Sequence, residues 1–255
     1  LVKLTPVQLG EWLSGVSAIL DITTTPYLAK WTGKYQIGLY ADRMVAIRAI
    51  VTSLRYCEPR PQLLLNLSNC MLYDKYDVHD DYSSQYDDGF LAEVAEMEMR
   101  EVIKCGRVAP DMRIVHLRTG YVMSAHSKAF KVLKNATMLG VAGIVDDGYQ
   151  CMPMVHEDDL INVIEKLATE DDIQGVFNVT MPIMASMNEM MEAIHKYVKM
   201  PQLKLPKWML KMFLGEALSM LEQNCKVLPQ RLVDAGYEFE CQDIDKLMER
   251  CFTKK

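Results

Sequence analysis

The 255 residues carry 28 Lys and Arg against 34 Asp and Glu, a formal net charge of -6 at pH 7. That balance argues against a large nucleic-acid footprint, which needs clustered cations, and the length suits one large domain or one domain with a small appendage. Half of the chain is hydrophobic, yet no apolar run approaches the about 20 residues of a membrane span. The nearest candidate, Pro206 to Leu221, is interrupted by Lys207, Lys211 and Glu216. Seven scattered cysteines without a Cys-x-x-Cys pair read as buried or idle thiols in a reducing compartment, not as a disulfide frame or zinc site. The chain starts at Leu1 and not at Met, so its true start is expected upstream; a cleaved organelle presequence and a piece of a longer chain would both look like this.

Along the chain, a short amphipathic helix over Leu1 to Gly15 leads into Ser17 to Thr24. This compact apolar run ends in hydroxyl residues and reads as a buried parallel strand needing neighbours on both sides. A long helix follows from about Ile37 to Leu54, with Met44, Val45, Ile47, Ile50, Val51 and Leu54 on one face. Gln62 to Ser68 is a strand, Asn69 to Gly89 an Asp- and Tyr-rich loop, and Phe90 to Cys105 a second amphipathic helix. Arg113 to Met123 is the strongest strand signal, bent at Gly120. Strands and helices alternating at this spacing predict βαβ units and a parallel sheet.

Further on, a helix over Lys128 to Leu139 is followed by a strand at Tyr149 to Val155, weakened by Pro153. His156-Glu157-Asp158-Asp159 opens another helix with acids at the positive end of its dipole, and Gly175 to Thr180 is a further strand. Ser186 and Glu189 form a capping box for a helix to Tyr197. Helices are also predicted from Pro206 to Gln223, from Pro229 to Gly236 and from Ile244 to Cys251.

A nucleotide-binding sheet needs a glycine-rich turn where backbone amides meet a pyrophosphate. No Gly-x-Gly-x-x-Gly occurs in these residues, and Gly140-x-x-Gly143 follows a helix, so it reads as a loop. A Tyr-x-x-x-Lys pair, able to pass a proton, is missing as well: Phe90 is followed four residues later by Val94 where it would sit. The acidic stretch Asp74 to Asp88 around His79 could ligate a metal, but a solvated loop is the preferred reading. His156 with Asp158 and Asp159 could form an acid–base pair; helix capping by Asp explains them more simply. His116 reads as a satisfied core or sheet-face histidine, and His195 shows no partner. The 19 methionines read mainly as fillers of apolar faces, as at Met209, Met212 and Met220, with an adaptable partner surface as the sharper alternative.

Several stretches resemble one family across most of the chain. Leu117-Arg118-Thr119-Gly120, Val155-His156-Glu157-Asp158-Asp159-Leu160 and Asp88-Gly89-Phe90-Leu91-Ala92-Glu93-Val94 look like its signatures, as do Trp31-Thr32 and Asp42-Arg43. Gly215-Glu216, Lys226 to Leu232 and Ala235 to Phe239 look like its C-terminal domain. The family is the atypical short-chain dehydrogenase/reductase branch of NAD(P)-dependent epimerase-like, or cell-division-inhibitor-like, proteins. The resemblance implies an α/β fold: a partial doubly wound, Rossmann-like parallel sheet over 1–180 and a small, mostly helical C-terminal domain over 181–255. The family's opening glycine-rich half is expected to lie before Leu1. Asp21-Ile22-Thr23-Thr24 stands where the family has a small-residue loop, and Ser68 to Asp74 departs from its Ser-Ala-Val-Gly-Tyr-Tyr-Gly.

These departures lead to the expectation of a non-catalytic structural or interaction subunit, in a larger organellar and specifically mitochondrial assembly, with no cofactor. Other protein subunits are expected to cover the strand edge at Ser17 to Thr24. The alternative is an NADP(H)-dependent oxidoreductase or epimerase, cytoplasmic or organellar, whose N-terminal cofactor-binding segment lies outside these residues. If cofactor contacts survive, the resemblance assigns them to Ser68, Arg118, Thr119 and Gly120. No catalytic or metal-ligating residue is assigned.

Overall fold

The computed structural model describes residues 4–23, 30–140, 145, 147–200, 207–214 and 218–253. Helix α1 (Pro6–Leu13) starts at a capping box in which Thr5 and Gln8 satisfy one another's backbone N–H groups. Strand β1 (Ala18–Asp21) is followed by α2 (Gly33–Ser53), β2 (Leu63–Asn69), the two-residue β3 (Val78–His79) and α3 (Phe90–Val108). Then come β4 (Arg113–Thr119), β5 (Tyr121–Met123), α4 (Lys128–Met138), β6 (Met154–His156), α5 (Glu157–Thr169) and β7 (Gly175–Val179). The C-terminal part contains α6 (Met187–His195), α7 (Lys207–Leu214), α8 (Leu218–Glu222), β8 (Lys226–Val227), α9 (Gln230–Asp234) and α10 (Ile244–Thr253). The expected capping box at Ser186 and Glu189 is present at the start of α6.

Four parallel strands form the central sheet in the order β1-β2-β4-β7. One face carries Ile19, Leu64 and Ile114 against α2 and α3. The other carries Leu63, Leu65, Val115, Leu117 and Phe177 against α5 and α9. Burying each such side chain contributes about 1.5–3 kcal/mol, so these two layers supply most of the drive for the sheet. This is the α/β, Rossmann-like architecture that the alternation of elements predicts.

Strand β1 departs from expectation. It is not buried on both faces: Ile19 and Asp21 are covered, whereas Leu20 is 44% exposed. The α5 layer covers Leu63 and Leu65 on β2, but their register partners Ala18 and Leu20 lie beyond it. Among the described residues β1 pairs with β2 alone. Thr24, at the end of the predicted stretch, lies outside the described residues.

The strand predicted over Arg113 to Met123 is two strands in different sheets. β4 lies in the central sheet, whereas β5 pairs with β6. Gly120 makes the break: a Cβ there would stand 2.5 Å from the Pro153 carbonyl oxygen and 2.9 Å from Met154 N, so only glycine lets these backbones meet. A second difference is the β3–β8 pair, which joins the acidic loop to the C-terminal segment. Two two-residue strands carry no periodic signal of their own.

Methionines do fill apolar faces, as at Met44, Met71 and Met112, and above all around α6, where Met187, Met190 and Met191 pack with Met123, Met154 and Met248. Met212 on α7, one of the examples named from the sequence, is instead 54% exposed.

Candidate functional site

Ligands of open α/β sheets bind outside the carboxyl ends of the strands. Here that end holds a cavity of about 360 Å³ at the N-terminus of α3. Trp31 and Phe90 form its aromatic wall, with ring centroids 5.7 Å apart in an edge-to-face arrangement. Met71 comes from the turn after β2, Lys75 and Asp87 from the acidic loop, and Gln223 from the segment after α8. Gln223 Nε2 donates to the carbonyls of Met71 at 3.1 Å and Tyr73 at 3.2 Å, so the C-terminal segment closes one side of the cavity. The mixed lining suits a small ligand with an apolar or aromatic face and a polar rim.

Behind the cavity the strand ends carry a buried polar hub. Arg118 donates from Nη1 to Tyr73 Oη at 2.6 Å and from Nη2 to Tyr86 Oη at 3.0 Å. Its guanidinium also lies 5.2 Å and 5.4 Å from the two ring centroids, within cation–π range. Tyr73 Oη in turn lies 2.9 Å from Asn178 Oδ1, and its ring stacks on His79. Burial pushes the Tyr73 phenol up to about 12, although Arg118 and Asn178 pull the other way. Tyr73 is fully buried. A phenol so placed has neither the acidity nor the access to exchange protons with a ligand.

The four residues assigned by resemblance cluster at the ends of β2 and β4, but their side-chain bonds run inward. Ser68 Oγ donates to Glu98 Oε2 at 3.2 Å, and Thr119 Oγ1 to the Ser68 carbonyl at 2.9 Å. Arg118 is only 2% exposed; its Nη1 and Nη2 are bound to the two phenols, and its Nε has no partner among the described residues. Gly120 serves the close approach to Pro153. Nearby, Asn69 Oδ1 accepts from Met71 N at 3.0 Å, while Asn69 Nδ2 is buried with no hydrogen-bond partner among the described residues. That orphaned donor at a strand end is the feature that fits a bound polar group, and the sequence reading passed over it. Its signal was slight: an Asn directly before a turn.

The acidic stretch is not simply a solvated loop. His79 and Asp81 are buried. Asp81 accepts from the backbone N–H of Asn178 at 2.5 Å and of Arg231 at 2.9 Å, fastening the loop to β7 and α9. Burial raises its carboxyl, and these N–H groups oppose the rise. Among the described residues no group of three His, Cys, Asp or Glu side chains is arranged to hold a metal.

The start of α5 also differs from a simple Asp cap. His156 is the cap, its Nδ1 accepting from Asp158 N at 3.1 Å. Asp158 instead accepts from Arg250 Nη1 at 2.7 Å. Asp159 is fully buried and accepts from the backbone N–H of Glu240 at 2.7 Å and Cys241 at 3.0 Å. An Asp159→Ala chain leaves both amides unpaired and is expected to lose about 3 kcal/mol. Faster amide exchange at 240 and 241 would register the loss; unchanged exchange and unfolding midpoint would contradict this role.

His116 is not a satisfied core histidine, since its Nδ1 has no partner among the described residues. It stands on β4 in register with Asn66 of β2, and Asn66 Nδ2 donates to Asp21 Oδ2 of β1 at 3.1 Å. A polar row thus crosses three strands. The adjacent row, Ser68, Arg118 and Asn178, crosses β2, β4 and β7. Glu98 of α3 and Arg43 of α2 lie over these rows as a buried ion pair.

Residues 205–251 match the family model described as a domain of unknown function, DUF1731, within the expected C-terminal domain. The chain is 26% identical over 239 residues to the chloroplastic epimerase family protein SDR39U1 homolog of Arabidopsis thaliana, covering 91% of this chain and 68% of that protein. It is 24% identical over 238 residues to an epimerase family protein of Staphylococcus epidermidis, covering 92% and 79%. Its fold matches that of the human epimerase family protein SDR39U1 (isoform 2), solved with NADPH, with a TM-score of 0.84 at 18% identity, covering 95% and 84%. It also matches UDP-glucuronic acid 4-epimerase of Bacillus cereus, solved with UDP-glucuronic acid and NAD, with a TM-score of 0.75 at 14% identity, covering 98% and 77%. The chain is thus similar over most of its length to epimerase family proteins, shares the Rossmann-like fold of solved epimerase structures, and matches DUF1731 at its C-terminal end.

They also correct one expectation. A chain without a cofactor was inferred from the missing glycine fingerprint, but structures of this fold are solved with NADPH and with NAD, which points to NAD(P) binding. The fingerprint serves the pyrophosphate, whereas the carboxyl ends of the strands, where ligands of open α/β sheets bind, are present here.

Proposed function

We propose that this chain is a binding and interaction subunit on an NADP(H)-binding epimerase-like fold, one that holds a nucleotide and a small ligand without passing protons between them. One observation carries the reading. A Tyr-x-x-x-Lys pair is missing on α3, where Phe90 is followed four residues later by Val94, and the phenols behind the cavity, Tyr73 and Tyr86, are bound to Arg118, Tyr73 being fully buried. The cavity at Trp31 and Phe90 would take the small ligand. Asn69 would hold the nucleotide at the end of β2, beside Ser68, Thr119 and Gly120. When bound, the nucleotide supplies a hydride donor or acceptor; the chain's own residues supply position and exclude water.

The interaction role rests on β1. Its outer edge has no strand neighbour among the described residues, and Leu20 and Ile22 are exposed beside it. Proteins avoid leaving such an edge free, so another polypeptide would cover it. An organellar, and in the first instance mitochondrial, setting is part of the proposal. The plant relative named chloroplastic supports an organelle. Among the described residues no helix is long and apolar enough to cross a membrane.

Titration with NADPH, followed by nucleotide fluorescence, should show saturable binding that is weakened by Asn69→Ala. Incubation with NADP(H) and sugar nucleotides should give no turnover. Rates near the about 1–1,000 per second of ordinary enzymes would overturn the non-catalytic reading and favour an NADP(H)-dependent oxidoreductase or epimerase, which the size of the cavity supports. Failure to bind NADPH would overturn the nucleotide part.

A further inference from the structure

A second, much smaller cavity lies where the segment before β6, the turn after β7 and the residue before β8 meet. Its volume is about 10 Å³, room for one atom-sized occupant. Six of its ten lining residues carry sulfur: Cys151, Met152, Met154, Met181, Met184 and Cys225. Met and Cys together make up 26 of the 255 residues, about a tenth, so a random lining of ten would hold one.

The geometry is held from several directions. Cys225 N donates to the Cys151 carbonyl at 3.1 Å, which brings the two backbones together at the cavity. Cys151 N donates to Asn224 Oδ1 at 2.9 Å. Cys225 Sγ lies 3.3 Å from the Cys70 carbonyl, which fixes its rotamer against the end of β2. Of the seven cysteines Cys151 alone is not fully buried, and Met184 is 37% exposed, so the cavity has a mouth at the surface.

Hard and borderline ions need carboxylate or imidazole oxygen and nitrogen, or four strong ligands, and this lining offers neither. Thiolate and thioether ligands select copper(I), which accepts two or three soft donors. We propose that this cavity binds a single soft monovalent metal ion, copper(I), through Cys151 and Cys225 and one or more of the surrounding thioethers. Each ligating thiol releases its proton to solvent as its S–Cu bond forms. The copper enters in the +1 state, and no electron is transferred. A ligating thiol must lose its proton, so binding weakens as pH falls; burial raises the Cys151 thiol, and contact with Cys70 followed by burial raises that of Cys225. The opposing explanation is that methionine merely fills an irregular gap.

The test is a titration of the reduced full chain with copper(I) under anaerobic conditions, in competition with a chromophoric copper(I) chelator. The expected result is one ion per chain, with sulfur as the sole ligand atom type in X-ray absorption. A Cys151→Ser/Cys225→Ala chain should bind about a hundredfold more weakly or worse. Met181→Leu/Met184→Leu conserves volume, keeps the fold, and should weaken binding about tenfold. Met138→Leu, on the exposed side of α4, should change nothing. Unchanged affinity in the cysteine variant, or, should that variant fail to fold, in the Met181→Leu/Met184→Leu chain, overturns the site. So does nitrogen or oxygen ligation. None of these outcomes bears on NADPH binding, so the two proposals fail separately.

Discussion

An Arg43→Met chain is expected to lose about 3–5 kcal/mol of stability, read as a lower urea midpoint with an unchanged slope. Arg43 is almost fully buried, pairs through Nη2 with Glu98 Oε1, and donates from the same nitrogen to the Leu67 carbonyl at 2.7 Å. Burial pushes the Glu98 carboxyl up, and the Arg43 guanidinium and the Asn66 side chain hold it down. Removing Arg43 leaves the buried Glu98 carboxylate and the Leu67 carbonyl without their cation. The loss comes from that stranded charge more than from the pair's own worth. An Arg43→Met/Glu98→Leu chain should therefore recover much of the deficit. If the double variant is as unstable as the single one, the pair's role is packing and not charge compensation.

The second large effect is a pH dependence from His116. Its pKa is lowered to about 3, first by burial and then by the charges of Arg118 and Arg43. In the unfolded chain a histidine titrates near 6.5. Between those values the unfolded chain holds a proton that the folded one does not, so stability rises with pH through the window. Stated the other way, His116's contribution is complete above about pH 6.5 and is lost as pH falls, at about 1.4 kcal/mol per pH unit and approaching about 5 kcal/mol by pH 3. Glu98, raised by burial, acts in the opposite sense. Comparing wild type with His116→Gln cancels that term. Denaturant unfolding from pH 7 to pH 4 should show the variant's stability falling less steeply than the wild type's. Parallel curves would mean that His116 carries its proton in the folded state.

Both effects come from polar residues that sequence reading treats as ordinary. Arg43 and Glu98 are 55 positions apart, on two helices whose apolar faces alone were used to place them. Periodicity says which face of α2 is buried, but not that a cation is buried with it. His116 alternates with apolar neighbours, so burial was legible; the absence of a partner for Nδ1 depends on what β2, α2 and α3 bring to that face. The family resemblance rightly pointed to the epimerase-like fold and to the C-terminal segment matched at 205–251. It was less informative about side chains, since Arg118 turns inward onto Tyr73 and Tyr86.

What the sequence by itself determined is the local grammar. The alternation of strands and helices, the Ser186–Glu189 capping box, the glycine-terminated α9 and the parallel order of the main strands all follow from short-range pattern. Such features depend on a few neighbouring residues and on the free energy of burying one face. What only the tertiary structure decided is how distant polar atoms are satisfied. The break at Gly120, the β3–β8 pair, the Asp159 clasp on Glu240 and Cys241, and the two polar rows under α2 and α3 all join residues far apart in the chain. A buried donor or acceptor must find a partner at any sequence distance, so its solution can be read only once the sheet has brought the candidates together.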